Sequence, residues 1–226
     1  MANDPRDALP DKLHVYTGTA IDVTYDKKRC IHVGACIRGM PRVFDPGSRP
    51  WVIVGNSTAD KIAAAVELCP SGSLQYVRKD GGPAEVPDAG NALLVSPDGP
   101  LFIRGQLELV EPDGSVRKET RLTLCRCGAS AHKPYCDNSH LKVRFQDGAR
   151  ALPKDKLEPD HAGPSGLLRI EPQADGPVQL SGNLRVLDAA GTVAGTTTGA
   201  AFCRCGHSGT KPFCDGSHEK AGFSTA

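Results

Sequence analysis

Nine cysteines in three groups constrain this chain more than any other feature. Each group of three is separated from the next by a long stretch without cysteine, and the groups are Cys30, Cys36 and Cys69; Cys125, Cys127 and Cys136; and Cys203, Cys205 and Cys214. The 226 residues include 25 glycines and 18 prolines but only 5% aromatics, so large core-filling side chains are scarce. Bound metal is therefore the expected source of part of the folding energy.

Charge and hydropathy exclude several classes of protein. The net charge of +1 leaves no basic footprint, so no nucleic-acid partner is expected. No apolar run approaches the roughly 18 residues of a membrane span, and the first residues lack the apolar core of a secretory signal. We therefore expect a cytoplasmic protein with no membrane partner. In such a reducing compartment, an odd number of cysteines indicates metal ligands rather than disulfides.

The second and third cysteine groups belong to an internal duplication. Both have the spacing C-x-C-x8-C, and a histidine follows four residues later, at His140 and His218. The preceding segments also match, and Leu184 lies 77 positions after its counterpart Leu107. Two copies suit a pair that packs about a pseudo-two-fold axis, which predicts a monomer with internal symmetry. The predicted domains are residues 1–83, 93–145 and 166–226.

Apolar periodicity places the motifs on strands and loops. In each repeat, two extended stretches joined by a glycine turn lead into the cysteine motif, which predicts strand, turn, strand and metal loop. In the N-terminal domain AIDVTYD and RPWVIVG are predicted strands, GACIRGMPRVF a short helix, and ADKIAAAVELC a helix opened by a capping box at Ser57. The segment 146–166, rich in proline and charge, is predicted to lie outside any packed core.

The repeated motif admits three kinds of metal site. Three thiolates and an imidazole within sixteen residues suit structural zinc, catalytic zinc or an iron–sulfur centre. Zinc loops usually use C-x2–4-C, and C-x-C is tight for one tetrahedral ion. It suits two thiolates on one iron of a bridged cluster. The second iron would then take the remaining pair, Cys136 with His140 or Cys214 with His218.

The segments CRCGASAHKPYCDNSH and CRCGHSGTKPFCDGSH resemble the CDGSH iron–sulfur motif of the mitoNEET family. The first copy departs once, with Asn138 in place of glycine, a residue that still adopts positive φ. The resemblance implies a metal-dependent α+β fold, with a β-cap above a cluster-binding region and paired motifs. It implies one [2Fe–2S] cluster per motif, on Cys125, Cys127, Cys136 and His140, and on Cys203, Cys205, Cys214 and His218. Asp137, Asp215, Pro134 and Pro212 are expected to hold the loops around these ligands.

The first cysteine group resembles a divergent bacterial single-cluster ferredoxin over residues 14–78. Its ligands would follow the pattern C-x5-C with a remote Cys-Pro, at Cys30, Cys36 and Cys69. The position of the missing ligand is Val33, which cannot bind metal. Three thiolates predict a [3Fe–4S] cluster, with a [4Fe–4S] cluster completed by His32 as the alternative.

Three redox centres on one chain predict electron transfer with redox partner proteins. If the metal served only to stabilise the fold, zinc would do so without redox chemistry. The alternative is a carrier that stores clusters or passes them to apo iron–sulfur acceptors. No enzyme is expected, because the sequence has no nucleophile–base pair and no phosphate-binding glycine loop. The motifs contain four basic residues, Arg126, Arg204, Lys133 and Lys211. We expect them either to form a basic rim that docks acidic partners or to offset the negative charge of the thiolates and clusters.

Overall fold

The computed structural model describes residues 13–111, 113–149, 152–159 and 165–225. Contacts divide the chain between Val86 and Pro87 into two compact units. Secondary structure is mostly β, with four short α-helices among the described residues, which fits the predicted α+β class with β-rich repeats. None of the described helices combines the length and apolar character that crossing a membrane requires.

The N-terminal unit is an antiparallel three-stranded sheet that carries two helices. The strands, in sheet order, are β1 (Leu13–Tyr16), β2 (Ile21–Asp26) and β3 (Leu74–Arg78). The helices are α1 (Ala35–Gly39) and α2 (Ala59–Glu67). The predicted strand AIDVTYD is therefore confirmed as β2, and both predicted helices form. The apolar face of α2 is buried as its spacing predicts, with Ile62, Ala65 and Val66 in the core.

Two local predictions for this unit are wrong. The helix α2 begins after Thr58, which makes no side-chain capping bond, so the capping box at Ser57 does not form. The predicted strand RPWVIVG pairs only at Val52, through an isolated bridge to Phe44. Pro50 has no N–H to pair, and Trp51 turns into the core, where its ring meets Tyr25 edge-on at 4.9 Å. Side-chain packing replaces strand pairing in this segment.

The second unit contains one six-stranded sheet built from both repeats. The first repeat contributes β4 (Ala92–Val95), β5 (Leu101–Val110) and β6 (Val116–Leu124). The second contributes β7 (Leu168–Pro172), β8 (Val178–Leu187) and β9 (Val193–Phe202). The hairpins β5–β6 and β8–β9 confirm the predicted strand–turn–strand pattern. Strands β4 and β7 were not predicted from the sequence.

The two repeats exchange their short first strands. Strand β4 pairs with β5 of its own repeat and also, in parallel, with β8 of the other, where Ala92 faces Arg185. Strand β7 pairs with its own β8 and, in parallel, with β5, where Leu107 faces Leu168. Each repeat thus supplies hydrogen bonds to the other, and neither hairpin is left with an open edge on that side.

A single apolar core lies within this second unit, and part of the inter-repeat segment belongs to it. Ala149 and Leu152 are buried in the core formed by both hairpins. Glu158 also pairs with Thr196 of β9 through an isolated bridge. The prediction that residues 146–166 lie outside a packed core is therefore wrong for these described positions. The buried apolar residues of this segment pack in the same core as those of the strands.

Candidate metal centres

Each cysteine motif of the second unit follows directly from the end of a hairpin. The N–H of Cys125 donates to the carbonyl of Pro134 at 2.9 Å, and the N–H of Cys136 donates to Thr123 at 3.0 Å. The second motif repeats both bonds, from Cys203 to Pro212 at 2.8 Å and from Cys214 to Ala201 at 2.8 Å. Backbone pairing therefore brings the last cysteine of each motif back beside the strand from which the first cysteine emerges. The peptide bonds before Pro134 and Pro212 are both cis.

The four predicted ligands of the first motif form two close pairs. The sulfur atoms of Cys125 and Cys127 lie 3.7 Å apart. The sulfur of Cys136 lies 3.6 Å from Nδ1 of His140. Metal bonds of about 2.3 Å to sulfur and about 2.0 Å to nitrogen separate two ligand atoms of a tetrahedral ion by about 3.5–3.8 Å. Each pair is thus spaced to hold one metal ion.

The second motif has the same geometry. Its sulfur pair, Cys203 and Cys205, is separated by 3.6 Å, and Cys214 lies 3.4 Å from Nδ1 of His218. Within the described part of the chain, no three Cys, His, Asp or Glu side chains converge to hold a single ion. The structure therefore brings the predicted ligands of each CDGSH-like motif together in pairs.

The histidines stand on short helices that begin at a left-handed residue. Helix α3 (Ser139–Lys142) follows Asn138 with φ of 68°, and helix α4 (Ser217–Lys220) follows Gly216 with φ of 86°. The prediction that asparagine preserves this loop is confirmed. The left-handed residue turns the chain sharply after the last cysteine of the motif. The histidine four residues after that cysteine therefore faces the cysteine's sulfur.

Two aspartates tie the motif loops together. The carboxylate of Asp137 accepts from the N–H groups of Ala131 at 2.8 Å and Ser139 at 2.9 Å. Asp215 accepts from Gly209 at 2.7 Å and Ser217 at 3.0 Å. A hydrogen bond from the Ser217 side chain and, after it, the bond from the N–H of Gly209 lower the pKa of Asp215. Burial acts to raise the pKa of Asp137, but its hydrogen bonds outweigh burial and leave it lowered.

Sequence reasoning gave no supporting role to a second pair of residues, Ser130 and Ser208. Both are buried, and each hydroxyl donates across its loop, to the carbonyl of Tyr135 at 2.6 Å and of Phe213 at 2.7 Å. The signal was present, because a serine stands three residues after the second cysteine in both copies.

The thiols of the first motif differ in acidity. The pKa of Cys125 is lowered to about 6, chiefly because the Cys127 thiol hydrogen-bonds to it, and the pKa of Cys127 is correspondingly raised. Burial raises the pKa of Cys136 to about 12. In the second motif, burial raises the pKa of Cys205 to about 11. Burial also lowers the pKa of His140, which keeps its imidazole neutral and able to bind metal. Metal binding at this site must therefore displace thiol protons.

Of the two roles predicted for the motif cations, a basic rim is not open to the two arginines. Arg126 and Arg204 are buried, at 1% and 3% exposure, and donate to backbone carbonyls. Lys211 donates to the carbonyl of Ser208 at 2.5 Å, and Lys133 lies over the ring of Phe223 at 5.9 Å. Both arginines fix the polypeptide next to their motif and supply positive charge beneath the surface. The alternative role, offsetting negative charge, is the one that this placement favours.

The N-terminal unit brings its three cysteines to one cavity. Its lining includes the three thiols and the side chains of His32, Val33 and Trp51; the cysteines are Cys30, Cys36 and Cys69. His32 has φ of 52° and Gly34 has φ of 69°, so the loop between the first two cysteines curls around this cavity. Val33 is 41% exposed and offers no donor atom. Three thiols and one imidazole are thus the metal-binding groups that this cavity offers.

Comparison with known proteins finds matches to three segments of the chain. Residues 16–79 match the family described as divergent 4Fe-4S mono-cluster. Residues 98–141 and 175–219 each match the family described as iron-binding zinc finger CDGSH type. Curated relatives are the uncharacterised protein YjdI of Escherichia coli strain K12 and that of Escherichia coli O157:H7. Each is 34% identical over 64 residues, which is 28% of this chain and 84% of the relative. No solved structure matches.

Both kinds of family match describe iron binding, and their residues contain all nine cysteines and both motif histidines. The chain is an iron–sulfur protein that belongs to the CDGSH iron-binding family, as a tandem-motif member with a divergent 4Fe-4S mono-cluster domain before its two motifs.

Proposed function

We propose that each CDGSH motif holds one [2Fe–2S] cluster through three cysteines and one histidine. The observation that carries this proposal is the arrangement of the ligands in two pairs, each spaced for one tetrahedral metal. A bridged two-iron cluster needs two protein ligands on each iron, whereas a zinc site needs four on one ion. In the first motif one iron would take Cys125 and Cys127, and the other would take Cys136 and Nδ1 of His140. The second motif supplies the equivalent groups.

We further propose that the two motifs form an intramolecular pseudo-dimer. The reciprocal strand exchange supports it, since β4 pairs with β8 as β7 pairs with β5. The cysteine turns also meet reciprocally. A Cβ added at Gly128 would lie 2.5 Å from the carbonyl oxygen of Cys205, and one added at Gly206 would lie 2.8 Å from that of Cys127. The monomer then carries both clusters in one body.

For the N-terminal unit the proposed cofactor is a [3Fe–4S] cluster on Cys30, Cys36 and Cys69. The three thiols line one cavity, and the loop position between the first two is Val33. The second candidate is a [4Fe–4S] cluster with His32 as the fourth ligand. The description of the matching family favours it, and so does the presence of His32 in the same cavity.

The proposed role of the protein is electron transfer between redox partner proteins, without an enzymatic reaction of its own. Bound clusters supply one-electron redox chemistry. The chain's own residues hold them, exclude water from the buried cysteines and set the local charge. Rigid loops support this role, because the hydrogen bonds of Asp137, Ser130 and their counterparts leave little freedom to reorganise during a redox change.

The alternative role is cluster storage or transfer to apo iron–sulfur acceptors. One observation favours it: both histidines are only partly buried, on four-residue helices at the surface. A histidine ligand competes with protons for its lone pair, so its metal bond is more easily released than a thiolate bond.

Metal and sulfide quantitation with EPR of the oxidised and reduced protein tests the cofactor assignment. Anaerobically purified protein should contain about seven iron atoms, no stoichiometric zinc, and two reduced [2Fe–2S] signals. About eight irons would support the [4Fe–4S] alternative, and His32→Ala would then reduce the iron count of that cluster. Stoichiometric zinc in the motifs would overturn the assignment. Cys69→Ala and Cys214→Ala are matched variants that should each lose one cluster and spare the others.

Mixing the holo protein with an apo-ferredoxin separates the two roles. An electron-transfer protein keeps its iron and cycles between oxidised and reduced forms when a reductant and a protein acceptor are supplied. A carrier loses iron while the acceptor gains a cluster. Retention of iron during repeated turnover is the result expected here.

A further inference from the structure

Each motif histidine is followed by a short loop of the same construction. The N–H of Phe145 donates to the carbonyl of His140 at 3.0 Å, and the N–H of Phe223 donates to that of His218 at 3.1 Å. The loops closed by these bonds are the His140 loop, residues 141–144, and the His218 loop, residues 219–222. Because their backbone bonds are equivalent, the two loops differ chiefly in the side chains that they present.

Those side chains have different characters. The His140 loop reads Leu-Lys-Val-Arg and the His218 loop reads Glu-Lys-Ala-Gly, and every residue of both loops is exposed. Leu141 and Val143 are 63% and 53% exposed, whereas the His218 loop has no large apolar side chain. The formal charge of the His140 loop is +2, and that of the His218 loop is zero. The duplication has therefore left an apolar and basic surface beside one ligand histidine and a neutral polar surface beside the other.

The backbone at Arg144 is an independent sign that this surface has a role. Arg144 has φ of 52°, in the left-handed region, and the equivalent residue of the His218 loop is Gly222, with φ of 61°. The loop geometry thus favours glycine at this position, and the first motif has an arginine in spite of it. Because Arg144 is exposed, packing in the core does not explain the choice. Residues held in disfavoured backbone regions are concentrated at functional sites.

The His140 loop also lies where the first motif comes closest to solvent. Cys125 and Cys136 are both 2% exposed, whereas His140 is only partly buried. The loop begins at the residue after His140, so a protein that covers the loop approaches the proposed cluster from its histidine side. Electron transfer slows steeply with distance, and this is therefore an effective place for a partner to dock.

We propose that the His140 loop is the docking site of a redox partner protein whose contact surface has an apolar centre and an acidic rim. Leu141 and Val143 would form the apolar contact, and Lys142 and Arg144 would pair with the partner's carboxylates. The first cluster is then the one that exchanges electrons with this partner. The inference rests on the proposed electron-transfer role.

Charge and size together favour an acidic partner over a second copy of the chain. Two copies that met through this loop would place like charges opposite each other, which opposes association, whereas an acidic surface is attracted. Two large apolar side chains are few for the core of a stable interface. They suit the small contacts of transient redox complexes, which must dissociate after each electron.

Stopped-flow reduction of the holo protein by a reduced acidic plant-type [2Fe–2S] ferredoxin tests this proposal. Such a ferredoxin has a lower potential than is expected for a cluster with a histidine ligand. One electron leaves the ferredoxin, which is oxidised, and one cluster of the protein is reduced. The second-order rate constant is measured at low and at high ionic strength. Reduction by dithionite at high ionic strength and the midpoint potentials report whether a variant has altered the clusters themselves.

The duplication supplies a matched control for the loop charge. Lys142→Gln should lower the rate constant about threefold at low ionic strength, and Lys220→Gln, the same change in the His218 loop, should leave it unchanged. The effect should disappear at high ionic strength, because salt screens exposed charges. Leu141→Glu, which copies Glu219, should lower the rate constant about tenfold. Arg144→Gly, which copies Gly222, should lower the rate constant without lowering the unfolding temperature, because glycine adopts the left-handed conformation freely.

The outcomes separate this inference from the proposed function. Equal effects of Lys142→Gln and Lys220→Gln, or a wild-type rate with Leu141→Glu, would show that the His140 loop is not the docking site. A wild-type dimer that Leu141→Glu converts to monomers would show that the loop binds a second copy instead. In each of these cases the clusters and their reduction by dithionite remain intact. If the wild-type protein lacks two [2Fe–2S] signals at full iron loading, the proposed function fails, and the inference fails with it.

Discussion

The sulfur of Cys136 faces Nδ1 of His140 at 3.6 Å, so the Nε2 atom of that ring is the one left to carry a proton. The same relationship joins Cys214 and His218 at 3.4 Å. Because Nδ1 is the proposed metal ligand, protonation at Nε2 changes the charge beside the cluster without first breaking the metal bond. Redox state and pH are therefore expected to be coupled in this protein.

Replacing a ligand histidine by cysteine should lower the potential of its cluster. A thiolate adds negative charge, and replacing two thiolates by two histidines raises such potentials from about −400 mV to between about −150 and +300 mV. We expect His140→Cys to lower the first cluster's potential, to flatten its pH response and to slow its loss in acid. Potentiometry and absorbance decay at low pH measure these effects, with His218→Cys as the matched variant. Faster loss from the cysteine variant in acid would contradict this account of lability.

The wild-type potentials should fall as pH rises. The reduced state carries more negative charge and binds the Nε2 proton more tightly, so reduction takes up a proton above the oxidised-state pKa of the histidine. The slope approaches about 59 mV per pH unit for one proton and one electron. Potentials that stay constant across the stable pH range would mean that the histidines do not couple electrons to protons.

Alanine at Gly128 should disrupt the contact between the motifs. Its φ of +81° already disfavours a side chain, and an added Cβ would lie 2.5 Å from the Cys205 carbonyl oxygen. Gly114 has φ of +82°, and a Cβ added there would have no atom within 4 Å. Gly114→Ala is therefore the control that measures the backbone strain alone, about 1–2 kcal/mol. Gly128→Ala should destabilise by about 1–3 kcal/mol more, through overpacking. Thermal unfolding and iron content measure both, and equal losses would remove the steric argument.

Asn138 should be replaceable by glycine but not by a β-branched residue. Its φ of 68° lies in the left-handed region, which Gly216 occupies in the other motif. Asn138→Gly should retain the first cluster, whereas Asn138→Val should lose about 1–2 kcal/mol of stability and release iron more quickly. Gly216→Asn is the reciprocal control. An Asn138→Val protein with wild-type stability and iron retention would show that this turn does not position His140.

Metal binding to the apo protein should strengthen with pH. The pKa of Cys136 is raised to about 12 and that of Cys127 is also raised, so both thiols are protonated near neutrality and must lose protons to bind metal. The apparent affinity for Zn²⁺, used as a redox-inert probe with a chromophoric competitor, should increase about tenfold per pH unit for each proton displaced. Affinity independent of pH between neutrality and mild alkalinity would disagree with these thiol acidities.

Local sequence was sufficient for the elements that depend on neighbours along the chain. The hairpins before each motif follow from alternating side chains and a glycine turn, and the left-handed turn at Asn138 follows from the tolerance of asparagine for positive φ. The predicted strand through Trp51 failed, because tertiary packing drew its apolar residues into the core. The short strands β4 and β7 were not predicted, because four or five residues are too few to show a clear alternation of apolar and polar side chains. Each also pairs with a strand that is far away in sequence.

The sequence by itself determined the chemistry of the protein: which thiols and imidazoles belong together, that the motif is duplicated, and that three metal centres are expected. Only the tertiary structure decided how charge is distributed around them. The sequence gives no reason to distinguish Arg126 from Arg204, but folding buries both, and within the described part of the chain Arg126 is the one that forms an ion pair with a carboxylate. The reason is that ligand spacing is a local property of a loop, whereas burial and ion pairing depend on residues such as Asp147 that arrive from another part of the chain.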